Sequence, residues 1–197
     1  MRILAINGSY RAGGITDQAL AVMRRTLTDD GHEFIDLPLR DRDIGFCRNC
    51  RECTQQPGPQ PGRCVQHDAM AELIEQIEAC DACILASPTN CGAVTALFKR
   101  FQERLVVYGY WPWGNPAPQP RRAERRKPTL LVSSSAAPAI MGRWLFGTTG
   151  QLRQAAKMFG GRVRGVCFTG LAAKAPDLHL DARQRRRAER LARRLVS

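Results

Sequence analysis

The sequence predicts an α/β fold, a three-layer sandwich around a five-stranded parallel sheet of order 2-1-3-4-5. Three observations carry this expectation. Five short runs of aliphatic and β-branched residues recur, each followed by a helical pattern or by a loop leading into one. The third run, residues 82–87, is apolar almost without a break, as in a strand buried on both faces. Five strands and five helices suit this order better than a six-stranded dinucleotide fold.

The strands are expected at residues 2–7, 33–37, 82–87, 129–133 and 164–169, and the helices at 16–28, 68–78, 94–107, 149–159 and 181–195. Right-handed crossovers put helices on both faces of the sheet, the flavodoxin-like arrangement. A single domain is expected over 1–197, since the chain is long enough for one well-buried core and short for two. Two stretches break the rhythm: a cysteine-rich insertion at 40–64, and an aromatic loop at 107–120, VYGYWPWGNPAPQP. Loops of that length in a compact domain usually serve function.

Hydrophobic residues at 44% and charged residues at 24% are ordinary globular values, which excludes a fibrous or wholly disordered class. No apolar run is long enough to span a membrane. The opening MRILAING enters the first strand at once, with no room for a secretion signal, so a cytoplasmic location is expected. Eight cysteines in such a compartment point to metal, cluster or redox roles rather than to disulfides. The net charge of +12 is concentrated in residues 121–127 and 182–195, a surface that favours anionic partners.

The first strand runs into NGSYRAGGITDQAL, which places Gly8, Ser9, Arg11, Gly13, Gly14 and Thr16 between a strand and a helix. Glycines let backbone N–H groups converge, Ser9 and Thr16 add hydroxyls, and the helix start adds partial positive charge. Arg11 can clamp a phosphate through two nitrogens. The plainer reading is a polar turn with Thr16 as N-cap. The loop is neither G-x-G-x-x-G nor G-x-x-x-x-G-K-[ST], so a monophosphate fits better than a dinucleotide or a P-loop ligand.

The third strand delivers SPTNCGAVTALFKRFQERL, with Pro88, Thr89, Asn90, Cys91 and Gly92 forming a turn beside the first one across the switch point of the sheet. Pro88 stiffens the turn and Gly92 allows close approach to a flat ligand. Val94, Leu97, Phe98 and Phe101 recur at helical spacing and are assigned to the core.

On these two turns the chain resembles the NADPH-dependent FMN reductases and their relatives, the iron-sulfur flavoproteins. That family ends its first strand in a G-S-P-R-x-x-x-x-T type loop, and its third in S-P-x-Y-x-G before a helix with K-x-F-x-D-R. Here the segments read GSYRAGGIT and SPTNCGAVTALFKRFQER, and CRNCREC, Cys64, HDAM, SSSAAP and FGGRV extend the likeness over most of the chain. The resemblance implies FMN as cofactor, with Ser9, Arg11, Ile15 and Thr16 at its phosphate and Pro88, Thr89, Asn90, Cys91 and Gly92 along the isoalloxazine ring. The loop 133–136, which includes Ser134, then approaches the ring from its other side. Tyr10 departs from the family's proline, Asn90 and Cys91 from its aromatic pair, and Glu103 from its aspartate. The missing aromatic pair implies either weaker flavin occupancy or stacking on the ring by Trp111 or Trp113 instead.

Cys47, Cys50 and Cys53 follow C-x-x-C-x-x-C, with Cys64 after TQQPGPQPGR. Four thiolates suit a [4Fe-4S] cluster or zinc, and the alternative is a loop of reduced thiols with neither. The gap before Cys64 is longer than the family shows. Cys80, Cys83 and Cys167 read as small buried hydrophobes, whereas Cys91 sits in the proposed flavin turn. His32, His67 and His179 have no ligand spacing.

Tyr108, Tyr110, Trp111 and Trp113 suggest either a lid over the flavin or a subunit interface. The last helix sets Gln184, Ala188, Leu191 and Leu195 in one stripe amid arginines, with no nucleic-acid-reading module beside it. The leading expectation is an FMN-dependent oxidoreductase that takes electrons from NAD(P)H to a small acceptor such as a flavin or quinone, working as a homodimer or homotetramer. Two alternatives stand beside it: an iron-sulfur electron carrier that does not oxidise NAD(P)H, and a basic nucleic-acid-binding protein.

Overall fold

A computed structural model describes residues 1–197 apart from Ala123, Arg125 and Pro176, the first two of which fall in the basic run 121–127. Its elements are β1 (Arg2–Asn7), α1 (Ile15–Asp29), β2 (Glu33–Pro38), α2 (Met70–Ala79), β3 (Ala82–Ala86), α3 (Ala96–Arg104), β4 (Gly109–Tyr110), β5 (Gln119–Pro120), β6 (Lys127–Ser134), α4 (Ala139–Leu145), α5 (Thr148–Met158), β7 (Gly161–Thr169) and α6 (Ala182–Val196). The main sheet is parallel with order β2-β1-β3-β6-β7, the expected 2-1-3-4-5 once the small β4-β5 ribbon is set aside.

Alternation along the strands divides the core into two layers. Leu4, Ile6, Cys83, Leu85 and Leu131 face α2, α3 and α5, while Ile3, Ala5, Ile84, Leu130 and Val132 face α1 and α6. Every residue of β3 is buried, which is why that run reads as continuously apolar. Val94, Leu97, Phe98 and Phe101 are core, as expected, with the two phenylalanine rings edge to face.

Four departures from the sequence expectation have local causes. The helix expected at 94–107 is α-helical only over Ala96–Arg104, because Thr95 takes the N-cap and accepts a hydrogen bond from the N–H of Phe98; residues 105–108 continue as a 3-10 turn. The strands at 129–133 and 164–169 extend back to Lys127 and Gly161, which pair with each other. Gly14 rather than Thr16 caps α1. The short helix α4 was not anticipated, since Ile140, Trp144 and Leu145 lie 70% or more exposed and leave no amphipathic stripe to read. Among the described residues, no helix is long and apolar enough to cross a membrane.

Candidate functional site

Three loops meet at the carboxyl ends of β1, β3 and β6, and backbone hydrogen bonds and side-chain hydroxyls hold them together. Gly8 N–H donates to the Ala86 carbonyl (2.8 Å), and Thr95 Oγ1 donates to the Gly8 carbonyl (2.7 Å). Ser87 N–H reaches Val132 O (3.0 Å) and Thr89 N–H reaches Ser134 O (2.7 Å). Thr16 Oγ1 and Ser134 Oγ lie 3.1 Å apart, which ties the start of α1 to the end of β6. A Cβ on Gly8 would come within 2.7 Å of Phe98 Cβ, so glycine here lets the first loop lie against α3.

The first loop is organised by Asp17 in the opening turn of α1. Its carboxylate accepts from Asn7 Nδ2 (2.6 Å) and from the N–H of Gly13 (3.0 Å), and Arg40 Nη1 pairs with it at 3.3 Å. Arg40 also donates to the Ser9 carbonyl (3.3 Å), so it offsets the Asp17 charge within the loop after β1. Ser9 is buried and its Oγ donates to the Arg11 carbonyl (3.1 Å). The N-cap of α1 is Gly14, so no N-cap side chain accepts from its first turn. Asn7, Asp17 and Arg40 were missed by the sequence reading; the signal available was an acid at the third helical position after a glycine turn.

The third loop closes with a tight turn in which Asn90 and Ala93 exchange two backbone hydrogen bonds of 2.9 Å. Its central residues, Cys91 (φ 47°) and Gly92 (φ 77°), are both left-handed, the arrangement that Asn-Gly pairs favour. Pro88 and Thr89 are half-buried, while Asn90 and Cys91 are exposed. Gly147 N–H donates to the Gly92 carbonyl (2.8 Å), Thr148 Oγ1 donates to Thr89 Oγ1 (2.9 Å), and the Phe146 ring lies 3.8 Å from where a Gly92 Cβ would sit. Phe146 therefore supplies an aromatic edge beside this turn that the sequence reading did not find. Among the described residues, Ser133 Oγ and Thr149 Oγ1 are buried with no hydrogen-bond partner.

The aromatic loop does not cover these turns. Tyr108 is in the core and donates to Glu78 Oε1 (3.1 Å), while Trp111 and Trp113 sandwich the Arg51 guanidinium at 3.8 and 4.2 Å from their ring centres. Arg51 Nη2 also donates to the Trp111 carbonyl (2.7 Å). The loop thus clamps the cysteine insertion. This replaces the expectation that Trp111 or Trp113 stacks on the flavin.

Cys47, Cys50, Cys53 and Cys64 line one small pocket with Arg48, Arg51 and Arg104. The chain passes through left-handed conformations at Asn49 and Arg51, on either side of Cys50, which stays exposed while Cys53 is buried. Gly62 returns the loop under Cys53, where any Cβ would lie 1.7 Å from the Cys53 carbonyl oxygen. Burial, and then the Cys64, Cys47 and Cys50 sulfurs, push the Cys53 thiol up to about 11, so the four sulfurs sense one another. Arg104, 1% exposed, donates to Asp68 (2.6 and 3.1 Å), to the Gly45 carbonyl (2.9 Å) and to Cys64 Sγ (3.5 Å). Soft donors in this number, beside three guanidinium groups, fit a cluster that carries a net negative charge with its thiolates. Among the described residues, no three His, Cys, Asp or Glu side chains converge on a single metal ion.

A hydroxyl- and glycine-lined cradle at the switch point of a five-stranded parallel sheet defines a flavodoxin-like protein. The chain belongs to the NADPH-dependent FMN reductase family, whose profile matches residues 1–166. It is 35% identical over 112 residues to an iron-sulfur flavoprotein of Archaeoglobus fulgidus, covering 57% of this chain and 49% of that one. It is 27% identical over 107 residues to one of Methanosarcina thermophila, covering 54% and 53%. The matches thus span about half the length of these relatives. The fold is shared with an FMN-dependent NADH-azoreductase of Bacillus anthracis solved with FMN (TM-score 0.73, 9% identity, all of both chains). It is also shared with an NADH:FMN oxidoreductase (TM-score 0.64, 16% identity, 98% and 87% of the chains).

Proposed function

We propose that this protein is a single flavodoxin-like domain over residues 1–197 that binds FMN in the three-loop cradle and carries electrons from NAD(P)H to a small acceptor. The observation that carries this reading is the 3.1 Å Thr16–Ser134 contact, which brings the loops after β1 and β6 together beside the glycine-capped start of α1. Ser9, Arg11, Ile15 and Thr16 take the phosphate end. Pro88, Thr89, Asn90, Cys91 and Gly92 flank the ring with Ser134, and Phe146 provides an apolar edge. FMN held there would supply the redox chemistry between NAD(P)H and the acceptor, and the chain's part would be to position it. A cleft of about 920 Å³ opens beyond Pro138 and Ile140, lined by Arg183, Arg186, Arg187 and Arg190, and suits the phosphates of NAD(P)H. The exposed Ile140, Trp144 and Leu145 of α4 support assembly into a homodimer or homotetramer.

A second reading is favoured by the four-thiol pocket: a [4Fe-4S] cluster on Cys47, Cys50, Cys53 and Cys64 makes the protein an electron carrier that need not oxidise NAD(P)H. One experiment separates the two. Protein purified without oxygen is analysed for flavin, iron and zinc, then mixed with NADPH or NADH. Flavin bands near about 375 and 450 nm that bleach on mixing support the reductase. Added broad absorbance near about 400 nm with roughly four irons per chain, and no bleaching, supports the carrier. Protein that retains no flavin and refuses added FMN refutes both.

A further inference from the structure

At the opposite end of β3 from the flavin turns, two thiols meet. Cys80 ends α2, Cys83 is the second residue of β3, and their sulfurs lie 3.3 Å apart. Cys80-Asp81-Ala82-Cys83 is a C-x-x-C spacing whose bend at Asp81 folds the two side chains together. Cys83 pairs in register with Leu4 and Thr129, which places it among the earlier residues of the sheet's strands.

The third member is Lys127. Its ammonium lies against the Ile77 carbonyl, 2.6 Å from the Cys80 carbonyl and 3.5 Å from Cys80 Sγ. The Cys83 thiol and this ammonium together bring the Cys80 thiol down to about 7, against its burial, while Cys83 is pushed up. Lys127 and the Cys83 thiol thus favour the thiolate at Cys80 and the thiol at Cys83, the division of labour of an attacking and a resolving cysteine. Cys80 is 4% exposed, and a cleft of about 560 Å³ lined by Asp81, Arg122, Arg126, Lys127 and Phe159 brings solvent to the lysine.

We propose that Cys80 and Cys83 form a redox-active dithiol that a hydroperoxide converts to an intramolecular disulfide and a small dithiol restores. The Cys80 sulfur attacks the peroxide, forming an S–O bond as the O–O bond breaks and hydroxide or alkoxide leaves to take up a proton. The Cys83 sulfur then attacks the Cys80 sulfur; an S–S bond forms, the S–O bond breaks and water departs with the Cys83 proton. Two electrons pass from the sulfurs to the peroxide, so two thiols and one hydroperoxide yield one disulfide, one alcohol or water, and one further water. The sulfurs have only to close from 3.3 Å to about 2.05 Å.

The test treats the protein, with its native cofactors, with a few equivalents of hydrogen peroxide, then unfolds, alkylates and digests it so that residues 79–85 separate from Cys64 and Cys91. The expected product is a peptide lighter by two hydrogens and unalkylated at both cysteines, restored to two alkylated thiols by dithiothreitol. At the same dose Cys167, which is buried away from the pair, stays a thiol. Lys127→Gln is expected to slow disulfide formation about tenfold at pH 7, and Cys83→Ser to leave Cys80 as a sulfenic acid trapped by dimedone. Should Cys80 and Cys83 both remain alkylatable after exposed Cys50 and Cys91 have been oxidised, the pair is inert packing and the proposal fails. The wild-type peptide alone decides this, whether or not the variants fold.

Discussion

Replacing Arg104 by methionine tests how the floor of the cysteine pocket is built. The side chain is buried, and its guanidinium makes two hydrogen bonds to Asp68 and one each to the Gly45 carbonyl and Cys64 Sγ. Methionine fills much of the same space but carries no charge. Breaking a buried ion pair by removing one partner costs about 3–5 kcal/mol. The lower end applies here, because Asp68 is 12% exposed and keeps the N–H groups of Gly45 (2.8 Å) and Met70 (3.0 Å). R104M should therefore lose about 3 kcal/mol in urea unfolding at pH 7.

The loss has a pH signature. Burial opposes ionisation of Asp68, but the Arg104 hydrogen bond and the two backbone N–H groups outweigh it and hold the carboxyl below its ordinary value. A depressed carboxyl contributes stability that is complete above its unfolded value of about 3.9 and vanishes as pH falls through the folded value. The gap between wild type and R104M should thus be widest above about pH 5 and narrow below about pH 4. The double variant R104M/D68N should cost clearly less than the sum of the single changes. A loss under about 1 kcal/mol for R104M, or a gap that does not narrow with acid, would refute the account of this pair.

Gly62→Ala should destabilise by more than the about 1–3 kcal/mol usual for overpacking, since its Cβ would meet a backbone carbonyl at 1.7 Å; thermal melting and iron retention after purification both read the displaced loop. Cys91→Asn should stabilise by about 0.5–1 kcal/mol in denaturant unfolding, because asparagine tolerates the left-handed φ of 47° and completes an Asn-Gly turn. Asp17→Ala removes the acceptor of Asn7 Nδ2 and the Gly13 N–H and should weaken FMN binding about tenfold by fluorescence titration; unchanged affinity would show that the loop holds its shape without it.

The β-strand periods and the position of each glycine turn are local properties of the chain, and for that reason the sheet order and the two loops at its switch point were legible before any coordinates. A strand such as 82–86 advertises burial on both faces through five successive small or apolar residues. The same holds for the cysteine spacing at 47, 50 and 53, which marks a loop of soft donors whatever surrounds it. What remained hidden were pairings between distant residues. Nothing near Arg51 in sequence announces Trp111 and Trp113, and nothing near Cys80 announces Lys127, forty-seven positions on. Phe146 borders the 88–92 turn only because β6 lies next to β3 in the sheet and brings the connection to α5 alongside. By itself the sequence determined the fold class, the glycine turns after the first and third strands and the thiol-rich loop, because hydrophobic period, turn chemistry and ligand softness act over a few residues. Tertiary structure alone decided that the aromatic loop clamps the cysteines instead of covering the flavin, and that Cys80, Cys83 and Lys127 form one group, because those contacts follow from how the strands and their connections pack.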